Sequence, residues 1–224
     1  MLTVVTGINW GDEGKGRVID LLAEKANVVA RFQGGDNAGH TVVVGKEKYV
    51  MNLLPSGILH PDVVCVLGPG MVIDLEELLH EMDSLREKGI SITPRNLKIS
   101  DKATISMPWH RIQDELEEER LSGSGRAFGS TKRGIAYAYS DKYRKKTLRI
   151  GDLLHLEEPE VQDRISMILE AKNMELEGCY HQEPMSESAF RFWCSGMAES
   201  LRNYISDTGV FLENELKEGR RVLL

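Results

Sequence analysis

The opening of the chain, residues 1–41, restricts the fold more than anything after it. Leu2 to Ile8 is a short apolar, β-branched run that reads as a buried strand. It empties into the polar glycine loop Asn9–Gly16, and the loop runs into Arg17–Lys25, where Val18, Leu21 and Leu22 recur at helical spacing opposite Asp20 and Glu24. Asn27 to Phe32 reads as a second strand, and it too ends in a glycine-rich turn, Gln33 to Thr41. Strand, glycine loop, helix and strand in that order is the repeating unit of an α/β domain with a mostly parallel sheet.

The remainder continues the pattern and then departs from it. Val42–Val44 and Tyr49–Leu54 flank Gly45-Lys46-Glu47-Lys48 and read as a hairpin. Val63–Leu67 reads as a buried strand closed by Gly68-Pro69-Gly70. Asp74 is placed to cap a helix through Lys88 that Gly89 ends, and Asn96–Ser100 is a further short strand. From Met107 onward long charged helices dominate, at Met107–Leu121, Glu158–Glu177 and Glu187–Ile205. Between the first two, Ser122 to Gly134 is too rich in glycine and serine for regular structure. Thr208–Glu218 reads as a helix, Gly219 closes it, and Arg220–Leu224 begins another buried strand. The expected division is an α/β nucleotide-binding core at 1–105, a largely helical subdomain at 106–207 with a substrate loop at 122–147, and a return to the core at 208–224. A chain that stops in such a strand is expected to be the first part of a longer protein.

Composition removes several classes. The formal net charge of −7 argues against nucleic acid as the main partner, and 41% hydrophobic residues over 224 positions describe an ordinary globular protein. A chain of this length buries roughly 70% of its unfolded surface. No stretch approaches the ~20 apolar residues of a membrane span. The N-terminus lacks a basic, cleavable leader. Cys65, Cys179 and Cys194 are odd in number and irregular in spacing, which suits a reducing cytoplasm and argues against a disulfide framework or a zinc site. Cys65 lies inside an apolar run and reads as core.

The chemistry resides in the two glycine loops. Free N–H groups at a helix start attract anions, and Gly11, Gly14 and Gly16 let a phosphate approach the backbone, with Lys15 adding a point charge. The loop is not a Walker A motif: position 9 is Asn, and Gly16 follows Lys15 where a hydroxyl would hold Mg²⁺. Asp12 supplies a carboxylate that suits Mg²⁺ instead. In a parallel sheet the C-terminal strand ends share one edge, so the two loops are expected to face one pocket. There His40 is the natural acid or hydrogen-bond donor. His60, His80, His110, His155 and His181 show no metal-type pairing and read as structural or solvated. Gly123-x-Gly125-x-x-x-Gly129 follows a helix and has one residue too many for a dinucleotide fingerprint. Lys142-Tyr143-Arg144-Lys145-Lys146 reads either as a solvated loop or, with Thr131, Lys132 and Arg133 upstream, as a phosphate-binding segment.

Trp10-Gly11-Asp12-Glu13-Gly14-Lys15-Gly16 together with Gln33-Gly34-Gly35-Asp36-Asn37-Ala38-Gly39-His40-Thr41 closely resembles the adenylosuccinate synthetase family. Pro55–Leu59, Gly129–Ile135 and Leu148–Leu153 fit it as well, and the resemblance extends over the chain but only over the first part of the family's length. It implies a GTP- and Mg²⁺-dependent ligase that joins inosine monophosphate (IMP) to L-aspartate in AMP biosynthesis through a 6-phosphoryl-IMP intermediate. By the same resemblance Asp12 takes the N1 proton and His40 stabilises charge at O6. Gly11, Asp12, Glu13, Gly14, Lys15, Gly16, Gly39, His40 and Thr41 bind GTP. Asp12, Glu13, Gly14, Lys15, Asn37, Ala38, Gly39, His40, Thr131 and Lys145 contact IMP, and Asp12 with the Gly39 carbonyl holds the metal. The implied protein is a cytoplasmic homodimer, with no nucleic-acid or membrane partner.

Three departures from the family pattern stand out. Lys145 occupies the place of an arginine that reaches IMP across the dimer, so Lys145 or the adjacent Arg144 takes that role. Ser130-Thr131-Lys132-Arg133 replaces the commoner Thr-Thr-Gly-Arg, and Ala136-Tyr137 the usual Gly-Pro. Two alternatives stand beside the ligase: a truncated nucleotide-binding relative that is inactive alone, and a divergent one acting on another purine monophosphate.

Overall fold

A computed structural model describes residues 1–8, 14–123 and 125–224. In chain order the elements are β1 (Leu2–Thr3), α1 (Lys15–Ala23), β2 (Val28–Gly34), β3 (His40–Val44), β4 (Glu47–Met51), β5 (Val64–Asp74), α2 (Leu75–Glu87), β6 (Leu97–Ser100), β7 (Thr104–Ser106), α3 (Pro108–Ser122), α4 (Ile135–Arg144), α5 (Pro159–Tyr180), α6 (Glu187–Leu201), β8 (Ile205–Ser206), α7 (Thr208–Lys217) and β9 (Val222–Leu223). The main sheet runs β1-β9-β2-β5-β6-β8, with β7 beside the second half of β5, and every pairing in it is parallel. β3 and β4 form a separate antiparallel hairpin. This is an α/β fold with a parallel central sheet and helices around it.

The period of two along each strand divides the core. Val29, Cys65, Leu67, Ile99 and Leu223 join one large apolar cluster with Met51, Leu78, Met82 and Trp109. Val28, Ala30, Val66 and Val222 face the other way, against Phe211, Leu212 and Leu216 of α7. Cys65 is fully buried, which pushes its thiol up, as expected of a core residue. Asp74 caps α2, its side chain accepting from the Glu77 N–H at 3.0 Å, and Gly89 follows the helix at φ 83°.

The helix read at Glu187–Ile205 ends at Leu201, and Ile205 instead begins β8 beside β6; three further departures bear on the site. The first strand is two residues long rather than seven, and Leu2, Val4 and Ile8 are exposed. β5 does not stop at Gly68-Pro69-Gly70 but runs through to Asp74. The β2–β5 register shifts there, and a side chain at Gly68 would come within 2.8 Å of the Arg31 carbonyl, while one at Gly70 would overlap that of Phe32. The glycines are present because two backbones meet, not because the strand turns. Finally, the segment read as a loop to residue 147 contains α4, a ten-residue helix whose last turn carries Lys142 and Arg144.

Candidate nucleotide site

The described end of the first glycine loop, residues 14–16, meets the close of the second at the beginning of α1. Gly14 stands before the helix at φ 79°, a left-handed conformation that favours glycine, and Lys15 is its first residue. Gly16 lies beneath His40: a methyl group built on it would be 2.9 Å from His40 Cβ and 3.3 Å from Cγ. His40 opens β3 opposite Met51 and is half-buried. Burial, with the Arg31 guanidinium adding to it, pushes the imidazole down to about 4, so it is neutral near pH 7 and retains an N–H to donate. Gly11, Asp12 and Glu13 lie outside the described residues.

The second loop is fastened from below. Arg31 donates from Nη2 to the Gly35 carbonyl at 2.6 Å, from Nε to that of Gln33 at 3.3 Å, and from Nη1 to those of Asn52 and Leu53. The Glu81 carboxylate accepts from the N–H groups of Asn52, Leu53 and Leu54 at 2.9 to 3.0 Å. One strip of backbone is thereby pinned through its carbonyls by a cation and through its amides by an anion. Tyr139 Oη accepts from the Gly34 N–H at 2.8 Å and donates to the Gly70 carbonyl at 3.2 Å. Gly35 packs against Ile135, where any side chain would overlap the Ile135 Cδ1. Above these ties Asn37, Ala38, Gly39 and Thr41 are exposed.

A third segment, 126–134, joins the same rim. The Glu118 carboxylate accepts from the N–H groups of Phe128, Gly129 and Ser130, the closest at 2.7 Å. Asp114 accepts from Ser130 Oγ at 2.6 Å and from the Gly134 N–H at 2.9 Å. Gly134 has φ 70° and leaves no room for a side chain against the His110 backbone. Thr131 is exposed, between these anchors. Arg133 pairs with Asp36 at 3.5 Å and with Glu77 at 3.1 Å. Arg111 pairs with Asp36 at 3.1 Å, with Asp74 at 2.9 Å and with Glu77 at 3.4 Å. Burial raises Asp74, whereas for Glu77 the two guanidiniums outweigh burial and hold the carboxyl below its ordinary range. This cluster was not anticipated from sequence. Its members lie up to 97 positions apart, and the only sequence signal was the presence of Asp36 and Arg133 inside the two loop motifs.

Lys145 lies apart from these ties, exposed in a left-handed turn (φ 60°) at the end of α4, and Arg144 beside it is 3.7 Å from Asp141. Lys142 donates to the Gly70 carbonyl at 2.8 Å and is taken up by the fold rather than solvated. Among the described residues no three His, Cys, Asp or Glu side chains gather as a metal site. None of the described helices is long and apolar enough to cross a membrane.

A glycine loop at the carboxyl end of β2, facing the start of α1, is the kind of strand-end crevice in which α/β proteins bind ligands. The family model for adenylosuccinate synthetase matches residues 4–224, and the chain belongs to that family. It is 46% identical over 220 residues to the adenylosuccinate synthetase of Heliobacterium modesticaldum, covering 98% of this chain and 50% of the relative. To that of Caldicellulosiruptor bescii it is 44% identical over 223 residues, covering 100% of this chain and 51% of the relative. The fully ligated adenylosuccinate synthetase of Plasmodium falciparum superposes with a TM-score of 0.85 at 33% identity, over 99% of this chain and 50% of that one. The chain thus spans about half the length of the relatives it matches.

Proposed function

We propose that the full-length protein carrying this chain ligates IMP to L-aspartate at the expense of GTP. The observation that carries this reading is His40 resting on Gly16, which sets an imidazole against the end of the phosphate-type loop, where it enters α1. Phosphoryl transfer depends chiefly on positioning and charge neutralisation, and the rim offers backbone amides, Lys15 and a neutral histidine for both. In this reading Asp12 removes the N1 proton of IMP, and O6 attacks the γ-phosphorus of GTP with GDP leaving. The His40 N–H steadies the charge on O6 and on the transferring group. The amine of aspartate then displaces phosphate from C6, giving adenylosuccinate, and gives up a proton.

Gly11 to Gly16, Gly39 and Thr41 cradle the GTP phosphates, while Asn37, Ala38 and Thr131 hold IMP. The Asp12 carboxylate and the Gly39 carbonyl are hard oxygen donors of the kind Mg²⁺ takes beside phosphates, and the ion when bound neutralises charge on the transferring group. The protein works as a cytoplasmic homodimer in which Lys145 or Arg144 reaches the partner's IMP. The test is a product assay on the full-length protein with IMP, aspartate, GTP and Mg²⁺. Asp12→Ala and His40→Ala are each expected to cost on the order of 10²-fold or more in rate while remaining folded. Full activity in either variant refutes the assignment of that residue.

A further inference from the structure

The cluster under the second and third loops does more than fill space. Asp36 immediately precedes Asn37, and its side chain is 0% exposed. One carboxylate oxygen, Oδ2, receives both Arg111 and Arg133, while Oδ1 is buried with no partner among the described residues. Arg133 follows Thr131 by two positions, so Asp36–Arg133 spans the gap between the two segments to which IMP contacts are assigned. Arg111 belongs to the first turn of α3, and Asp74 and Glu77 belong to the start of α2, so the carboxylate is referred to two helix ends beside the same sheet edge. Three carboxylates face two guanidiniums. The arginines are therefore already neutralised, and the cluster acts as a spacer between loops rather than as an anion receptor.

We propose, resting on the reading above, that Asp36 is a positioning residue whose carboxylate, shared by Arg111 and Arg133, sets the distance between the Asn37 and Thr131 loops and thereby the fit of IMP. The loops keep other ties: the Gly34 N–H to Tyr139, Gly35 against Ile135, and Glu118 on Gly129. Loss of the clamp shifts them without releasing them. His40 and Thr41 are held by their pairing with β4, outside the clamp, so the GTP side moves less than the IMP side.

The experiment uses the full-length protein. Asp36→Asn is expected to raise KM for IMP about tenfold, with KM for GTP and kcat each within about threefold. The Asp36→Asn/Arg111→Met double variant should raise KM for IMP no further than Asp36→Asn alone, since the Asp36–Arg111 contact is already weakened, whereas loss of the Arg111 pairs with Asp74 and Glu77 falls on stability. Amide exchange over residues 129–134 should quicken in Asp36→Asn. If Asp36→Asn does not fold, Arg111→Lys, which keeps the charge and loses the fork, should raise KM for IMP about threefold. An unchanged KM for IMP, or an equal rise for IMP and GTP, overturns the proposal, as does unchanged exchange. If the parent protein does not turn over IMP at all, the ligase reading fails while exchange still decides whether the clamp exists.

Discussion

His110 and Arg111 are consecutive residues of α3, yet they serve two ionic clusters of opposite character. Arg111 points to the loop clamp, where both guanidinium side chains are about one-third exposed, at 32% and 33%. His110 is fully buried: its Nδ1 accepts from the Met107 N–H at 2.9 Å, and its Nε2 donates to Asp141 Oδ2 at 3.1 Å. Asp141 in turn pairs at 2.8 Å with Lys172, whose side chain is 4% exposed and also reaches Gln113 at 3.2 Å and Glu175 at 3.0 Å. One cluster ties α3, α4 and α5 together in the interior; the other ties loops at a wet rim. Similar pairs therefore carry different consequences, because charges held away from water are screened far less. The interior cluster supports the fold, and the rim cluster supports the spacing of a site.

The sharpest way to break this contrast is to remove the interior carboxylate. Asp141→Ala leaves Lys172 buried with Glu175 and Gln113 as its partners among the described residues, and loss of one partner of a buried pair costs about 3–5 kcal/mol. Urea unfolding of the full-length protein measures this. A loss under about 1 kcal/mol would mean that the interior cluster is no more demanding than the rim. Asp36→Asn should change global stability much less while acting on KM, the opposite profile.

Acid is expected to affect the interior next. Burial lowers His110, against the opposing pull of Asp141, so the folded protein holds the imidazole neutral where an unfolded chain protonates it near pH 6.5. The unfolded state then binds more protons, and stability is full above that pH and falls as pH drops toward the folded value. Asp141 behaves similarly in a lower window. Burial raises it, but the His110 and Lys172 hydrogen bonds outweigh that, and its contribution is lost only below about pH 4. A His110→Gln variant should therefore show a flatter stability profile from pH 7 to 5 than the parent. Equal slopes would remove His110 as the responsible group.

What was legible in the sequence was local. Asp74 and Gly89 bracket α2 as cap chemistry requires, and the hairpin read at Val42–Val44 and Tyr49–Leu54 is present as β3 and β4, though β4 takes in Glu47 and Lys48 from the expected turn and ends at Met51. The two glycine loops were recognisable because glycine, charge and strand ends lie together in the chain. Elements decided by distant neighbours were not. Gly68-Pro69-Gly70 has the composition of a turn, and only the Arg31 and Phe32 carbonyls explain why it stays in the sheet. α4 follows a glycine- and serine-rich stretch that conceals it, and it is held through Asp114 on Gly134 and through Asp141 at its other end. The clamp joins residues 75 and 97 positions apart, a separation that no periodicity reports.

The smallest expected effect separates loop anchoring from fold stability most cleanly. Glu118 is buried and holds three successive backbone amides, at Phe128, Gly129 and Ser130. Glu118→Gln keeps an acceptor oxygen and removes the charge that strengthens those bonds, so the global cost should be about 1 kcal/mol. Exchange at Gly129 and Ser130 should nevertheless quicken, because those amides open with the loop and not with the whole molecule. Neither Arg111 nor Arg133 contacts Glu118, so this variant should leave the separation of the Asn37 and Thr131 loops near its parental value. A rise in KM for IMP as large as that of Asp36→Asn would show that anchoring the third loop anywhere is sufficient, and that the clamp has no special place.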